Sequence, residues 1–169
     1  FGSWSADGNF LAYTLITQTN FEQAFIYSLS EAKSYPVSDG LSNVTEPRFD
    51  PSGKYLYMLA STDAGPVVNW FDQSNQDMTS TNTIYLVTLQ KSTPSPLVKE
   101  NDMEEVKEAP IAKADTAKQP AVGKPSVKID WDGLELRMMA LPISKGRYRS
   151  LVVPKEGELY YLSAMLFNS

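Results

Sequence analysis

The sequence predicts an all-β protein assembled from four-stranded antiparallel units. Three observations predict it: short runs of aromatic and β-branched residues, glycine-bearing turns between those runs, and the return of one hairpin pattern after 45 residues. Residues 9–17 hold Phe10, Leu11, Tyr13, Thr14 and Ile16, side chains suited to a pleated, half-buried surface. They follow Asp7-Gly8, a pair that tolerates positive φ. Trp4-Ser5 and residues 9–17 are therefore the expected arms of a hairpin about Ala6-Asp7-Gly8-Asn9. Residues 23–29 alternate, with Ala24, Ile26 and Ser28 against Phe25, Tyr27 and Leu29, which predicts a third strand. Residues 34–37 can return beside it as a fourth.

The same grammar then restarts. Trp4-Ser5-Ala6-Asp7-Gly8-Asn9-Phe10-Leu11-Ala12-Tyr13 lies over Phe49-Asp50-Pro51-Ser52-Gly53-Lys54-Tyr55-Leu56-Tyr57-Met58, matching in kind at eight positions. Residues 83–89, with Ile84, Tyr85, Leu86 and Val87, take the role of 23–29, and Pro96-Leu97-Val98 is the expected returning edge. A third hairpin is expected over 151–162, turning at Gly157. Units of about 40–45 residues with four short strands describe the blades of a β-propeller, where each sheet buries its faces against its neighbours. The fold expected is a partial β-propeller of about two to three blades.

Gly53 and Gly157 stand 104 residues apart, more than two periods, so the pattern is interrupted. Residues 62–82 are polar and turn-rich around the apolar knot Val67-Val68-Asn69-Trp70-Phe71, which predicts a loop inside the second blade. Residues 100–125 are rich in Lys, Glu, Ala and Pro and lack aromatics, so burial cannot offset their ordering entropy. They are expected to form a mobile charged linker, with a short helix at 102–107. The division expected is two blades over 1–99, the linker over 100–125, and further strand pairs of a blade over 126–169. Within the last segment, 126–143 is expected to be a strand pair turning at Asp132-Gly133.

Composition narrows the chemistry. The 169 residues, 42% hydrophobic and 21% charged, suit one domain with a core. A net charge of −5 without a basic stripe makes nucleic acid an unexpected partner. The chain has no histidine, which excludes any imidazole base of its own, and no cysteine, which excludes thiolate nucleophiles, thiolate metal sites and disulfides. No apolar run is long enough for a helical membrane span. Opening on Phe1-Gly2-Ser3-Trp4, the chain is expected to be a piece of a longer parent.

At the hairpin Phe49-Asp50-Pro51-Ser52-Gly53-Lys54-Tyr55-Leu56-Tyr57 the chain resembles the repeat shared by TolB, tricorn and prolyl-oligopeptidase propellers. A more particular likeness is Val127-Lys128-Ile129-Asp130-Trp131-Asp132-Gly133-Leu134-Glu135-Leu136-Arg137, running on to Leu141-Pro142-Ile143, Gly146 and Tyr148. It is similar to the stretch that closes the propeller region of tricorn-like serine peptidases ahead of the peptidase module. The resemblance implies a non-catalytic propeller piece, a scaffold and peptide filter for a separate C-terminal peptidase domain. The alternative it leaves is a stand-alone TolB-like module that binds a protein or peptide. Implied partners are a peptide or protein substrate, the remaining blades and the peptidase domain. Implied settings are the periplasm or the cell exterior, with the cytoplasm left open by the residues.

No catalytic, cofactor-binding or metal-binding residue is assigned from the sequence, and no cofactor is expected. The run Asp72-Gln73-Ser74-Asn75-Gln76-Asp77 resembles a calcium loop but lacks the turn glycine and terminal glutamate. Asp102, Glu104, Glu105 and Glu108 read as a solvated face. Asp130 and Asp132 could pair as carboxylates, but turn formation at Asp132-Gly133 explains them better. Trp4, Trp70 and Trp131 with nine tyrosines could form a stacking platform, and core packing is the commoner use of such residues. Three blades cannot close a ring, so the open edges are expected either to drive association of two or more chains or to make the chain poorly soluble.

Overall fold

The computed structural model describes residues 2–63, 80–97 and 126–164. Its first sheet holds β1 (Ser3–Trp4), β2 (Phe10–Ile16), β3 (Glu22–Ser28) and β4 (Lys33–Pro36) in that order, each antiparallel to the next. The second holds β5 (Asn43–Phe49), β6 (Tyr55–Ser61), β7 (Thr83–Thr88) and β8 (Met138–Ala140), again in chain order. A hairpin of β9 (Arg147–Lys155) and β10 (Glu158–Ala164) follows. These are the antiparallel four-stranded blades of a partial β-propeller.

The second sheet is the middle layer. Leu56, Met58 and Ala60 of β6 join Val87 on the face that meets Ala12, Ala24 and Ile26 of the first sheet. Tyr57 and Leu59 of β6 join Ile84 and Leu86 on the opposite face, against Leu151, Val153 and Leu159 of the hairpin. Burial on both sides explains why β6 is buried at nearly every position while β3 is buried at alternate ones. The same burial pushes the Tyr57 phenol up to about 12, with the Asp50 carboxylate adding to the shift. Between layers, β5 packs on β1, β2 and β3, and β9 packs on β5 and β6. The layers converge at their first strands, as blades do around an axis.

The first two turns share one geometry. Gly8 donates to Ser5 O at 2.9 Å and Gly53 to Asp50 O at 2.9 Å, with φ of 76° and 74° at the glycines. Each turn also carries an acid–hydroxyl pair, with the roles exchanged. Ser5 Oγ donates to Asp7 in the first, and Ser52 Oγ donates to Asp50 in the second. The third turn is tighter, with only Glu156-Gly157 between β9 and β10. Beside the turn Glu158 pairs with Lys155 in the same register as the second sheet, and the register slips by one at the irregularity between Glu158 and Tyr160. Leu56 pairs with Phe49, whereas its counterpart Tyr160 pairs with Val152 rather than Val153. A one-residue slip turns a side chain to the other face, so Tyr160 and Val152 point away from the second sheet.

Two sequence expectations are corrected. Pro96 and Leu97 lie in a turn and pair with no strand, and the returning edge of the second sheet is β8, where Leu86 pairs with Met139. A three-residue edge strand needs few contacts, so proximity in sequence is a poor guide to which segment supplies it. Residues 126–131 form no strand. They run as a strap across the turns of both sheets. Val127 N donates to Asp7 Oδ2 at 2.9 Å, and Asp130 N donates to Leu89 O at 2.9 Å. Trp131 stacks on Tyr35 at 3.9 Å and meets Phe10 edge-on at 6.0 Å. Residues 64–79 of the expected loop, and 98–125 with the expected linker and its helix, lie outside the described residues.

The strap sits where Gly53 must be glycine. A Cβ there would lie 2.7 Å from Val127 Cγ2, on a backbone at φ 74°, whereas one on Gly8 would meet nothing within 4 Å. Gly8→Ala should lose about 1–2 kcal/mol for the left-handed backbone alone. Gly53→Ala should lose distinctly more, and adding Val127→Ala should recover the excess, read from denaturant midpoints. Asp7 gives a pH signature. Partial burial works to raise its pKa, but hydrogen bonds from Ser5 Oγ, Val127 N and both Asn9 donors together outweigh burial and hold the carboxyl below its usual range. A lowered folded pKa means stability that is present above the unfolded value of about 3.9 and lost as pH falls through the folded one. Asp7→Asn should therefore be less stable than wild type at neutral pH and lose less on acidification to about pH 3.

Candidate functional site

The first strands β1, β5 and β9 carry the densest polar traffic between layers. Phe49 N donates to Ser3 Oγ at 3.2 Å, joining β5 to β1. Arg48 Nε donates to Leu151 O at 3.0 Å and Nη1 to Gly2 O at 3.4 Å, so one guanidinium spans all three layers. Glu46 accepts from Ser150 N at 3.0 Å and Leu151 N at 2.7 Å, one carboxylate oxygen for each amide. Between β5 and β9 lies an open cleft of about 340 Å³ lined by Glu46, Arg48, Ser150, Leu151 and Val152.

The backbone explains this joint. Glu46 and Ser150 adopt left-handed φ values of 51° and 57°, unusual for residues other than glycine. Each lies at a register shift, between Thr45 and Arg48 in β5 and between Arg149 and Val152 in β9. Each also precedes its turn glycine by seven residues, so the bulge belongs to the repeat. It turns the Ser150 and Leu151 amides out of the β9–β10 ladder, where the Glu46 carboxylate satisfies them. At the equivalent place in β5 stands Pro47, which has no amide hydrogen to satisfy. The cleft offers a guanidinium, a hydroxyl and an apolar wall, an arrangement for contact and positioning. Each oxygen of Glu46 accepts from one backbone amide.

The residues weighed from sequence fall elsewhere. Asp130 and Asp132 are both tied to Lys91, through its amide at 2.8 Å and its ammonium at 2.6 Å. That ion pair holds the Asp132 carboxyl below its usual range. Trp131 is engaged in the strap, while Trp4 is 56% exposed on the outer face of the first sheet. Trp70, the run 72–77 and the acidic residues 102–108 lie outside the described residues. Among the described residues no group of three or more acidic, histidine or cysteine side chains could hold a metal, and no helix is long and apolar enough to cross a membrane. Arg137 closes the 3-10 turn Glu135–Arg137 by donating to the carbonyls of Thr88, Leu89, Asp130 and Asp132. The segment 127–137 thus fastens β8 to β7. The sequence reading singles out neither Glu46 nor Arg48, and the signal available for Glu46 is that it and Ser150 each stand seven residues before a turn glycine.

The chain therefore has the fold of a propeller fragment, three units stacked about converging first strands. No family model matches it, and no curated protein matches it in sequence. Among solved structures it is similar to the crystal structure of the tricorn protease, with a TM-score of 0.63 and 17% identity. The likeness covers 98% of this chain and 15% of that one, and at this identity it shows the fold.

If Glu46 is the clasp between layers, removing its carboxylate should leave the buried Leu151 amide unsatisfied and lower stability by about 1–3 kcal/mol. Glu46→Gly, which relieves the left-handed backbone, should lose less than Glu46→Ala. Hydrogen exchange should show lost protection at Leu151 in both variants and unchanged protection in β2 and β3.

Proposed function

We propose that this chain is a non-catalytic propeller piece of a tricorn-like serine peptidase, a scaffold and peptide-access module for a peptidase domain carried elsewhere in the parent. The observation that supports the reading is the structural likeness of nearly the whole chain to part of the tricorn protease. The residues agree with it. The chain has no histidine or cysteine, and the Glu46 carboxylate near Ser150 serves two backbone amides as a structural acceptor. The cleft at the first strands faces the side where blades converge, which is where a peptide passing through a propeller would meet the wall. The same cleft supports a second reading, a TolB-like module that docks a protein or peptide partner.

The purified chain should not hydrolyse a mixed fluorogenic peptide library above the uncatalysed background, while the full parent protein should. Robust turnover by the chain alone would overturn the proposal. A parent without peptidase activity, whose propeller still binds peptide, would favour the second reading.

A further inference from the structure

We propose that Glu46 and Arg48 bind the main chain of an extended peptide, making the cleft between β5 and β9 a sequence-tolerant peptide subsite. The pair already performs this task inside the molecule. Leu151 N donates to Glu46 Oε2 at 2.7 Å, and Leu151 O accepts from Arg48 Nε at 3.0 Å. An antiparallel neighbour exchanges the same two bonds with one residue of a strand. Two side chains, two positions apart in β5, thus stand in for a strand and hold the amide and carbonyl of a single residue of β9.

The pair has capacity left. A carboxylate offers about four acceptor sites, and Glu46 uses one on each oxygen, for Ser150 N and Leu151 N. Arg48 also donates through Nη1 to Gly2 O at 3.4 Å, and its Nη2 makes no hydrogen bond among the described residues. Ser150 beside them is exposed and adds a hydroxyl that can donate or accept. All three line the open cleft of about 340 Å³, at the small end of ligand sites, with room for a short stretch of chain. Its walls, β5 and β9, are layers of this chain, so the pair is independent of what stacks against either end.

Charge decides what the cleft takes. One carboxylate and one guanidinium cancel, so neither an acidic nor a basic side chain is favoured. A peptide unit is neutral and carries one donor and one acceptor, which matches both partners. An open cleft without a deep side-chain pocket reads little else. A few such bonds bind weakly and release quickly, which suits a wall along which peptides move. This role presupposes a peptide at the cleft, as both functions proposed above do.

Nuclear magnetic resonance titration of the 169-residue chain tests it. An alanine–serine peptide blocked at both ends should bind at about millimolar Kd and shift the Ser150 and Leu151 amides and the Arg48 Nε signal. Acidic and basic versions, and one with a free C-terminal carboxylate, should bind within about threefold of it. The counterpart with an ester in place of each backbone amide has no N–H to give, and it should bind about tenfold more weakly or not at all. Arg48→Lys, shown to fold by circular dichroism, should weaken the blocked peptide by a similar factor because the planar fork is lost. If that variant does not fold, the ester comparison on the wild-type chain decides. An ester bound as tightly, a requirement for the free carboxylate, or shifts confined to another surface would overturn main-chain recognition and leave peptide access standing. Binding of no peptide at all would overturn both.

Discussion

Everything in this structure depends on the burial of the second sheet from both sides. Leu56 and Met58 press on the first sheet while Tyr57 and Leu59 press on the hairpin, so one strand serves two cores at once. Neither neighbour has a comparable core of its own. The first sheet buries one face, and the β9–β10 hairpin is two strands that would be marginal without a surface to lie on. A fully buried side chain such as Leu59 or Leu86 is thus shared property, and truncating it to alanine removes contacts that hold a layer as well as a strand.

The parts of the fold visible in the sequence were those governed by local backbone chemistry. A turn that needs positive φ selects glycine, so Gly8, Gly53 and Gly157 announced three hairpins, and the aromatic runs beside them announced the strands. The alternation of residues 23–29 gave the correct face for Ala24 and Ile26. What stayed hidden was decided by distant partners. β8 has three residues and no pattern of its own. Val127 and Trp131 look like strand residues because they are apolar, yet they serve a strap whose partners are Asp7, Gly53 and Tyr35. Glu46 and Arg48 read as ordinary surface charges until the backbone of β9 is set beside them.

The turns and bulges show that a repeat can conserve an arrangement while its residues vary. An acid and a hydroxyl occupy both of the first two turns, but Ser5 and Asp7 exchange places as Asp50 and Ser52. The geometry needs one acceptor and one donor two residues apart, and either order supplies them. The joint between layers varies in the same way. Ser3 ties β1 to β5 through one hydroxyl, whereas Glu46 and Arg48 tie β5 to β9 through a carboxylate and a guanidinium. Identity between units falls while the physics of the contact is retained, which is consistent with a fold likeness at only 17% identity.

The position of β8 has a kinetic meaning. Its partner β7 ends at Thr88 and it begins at Met138, so 49 residues intervene, while only four separate β3 from β4. Closing the longer loop costs about 2 kcal/mol more in chain entropy. During synthesis, the second sheet must wait with an unpaired edge while that stretch emerges from the ribosome. The Arg137 clamp can then form only after most of the chain exists, making the completion of this sheet a late event in folding.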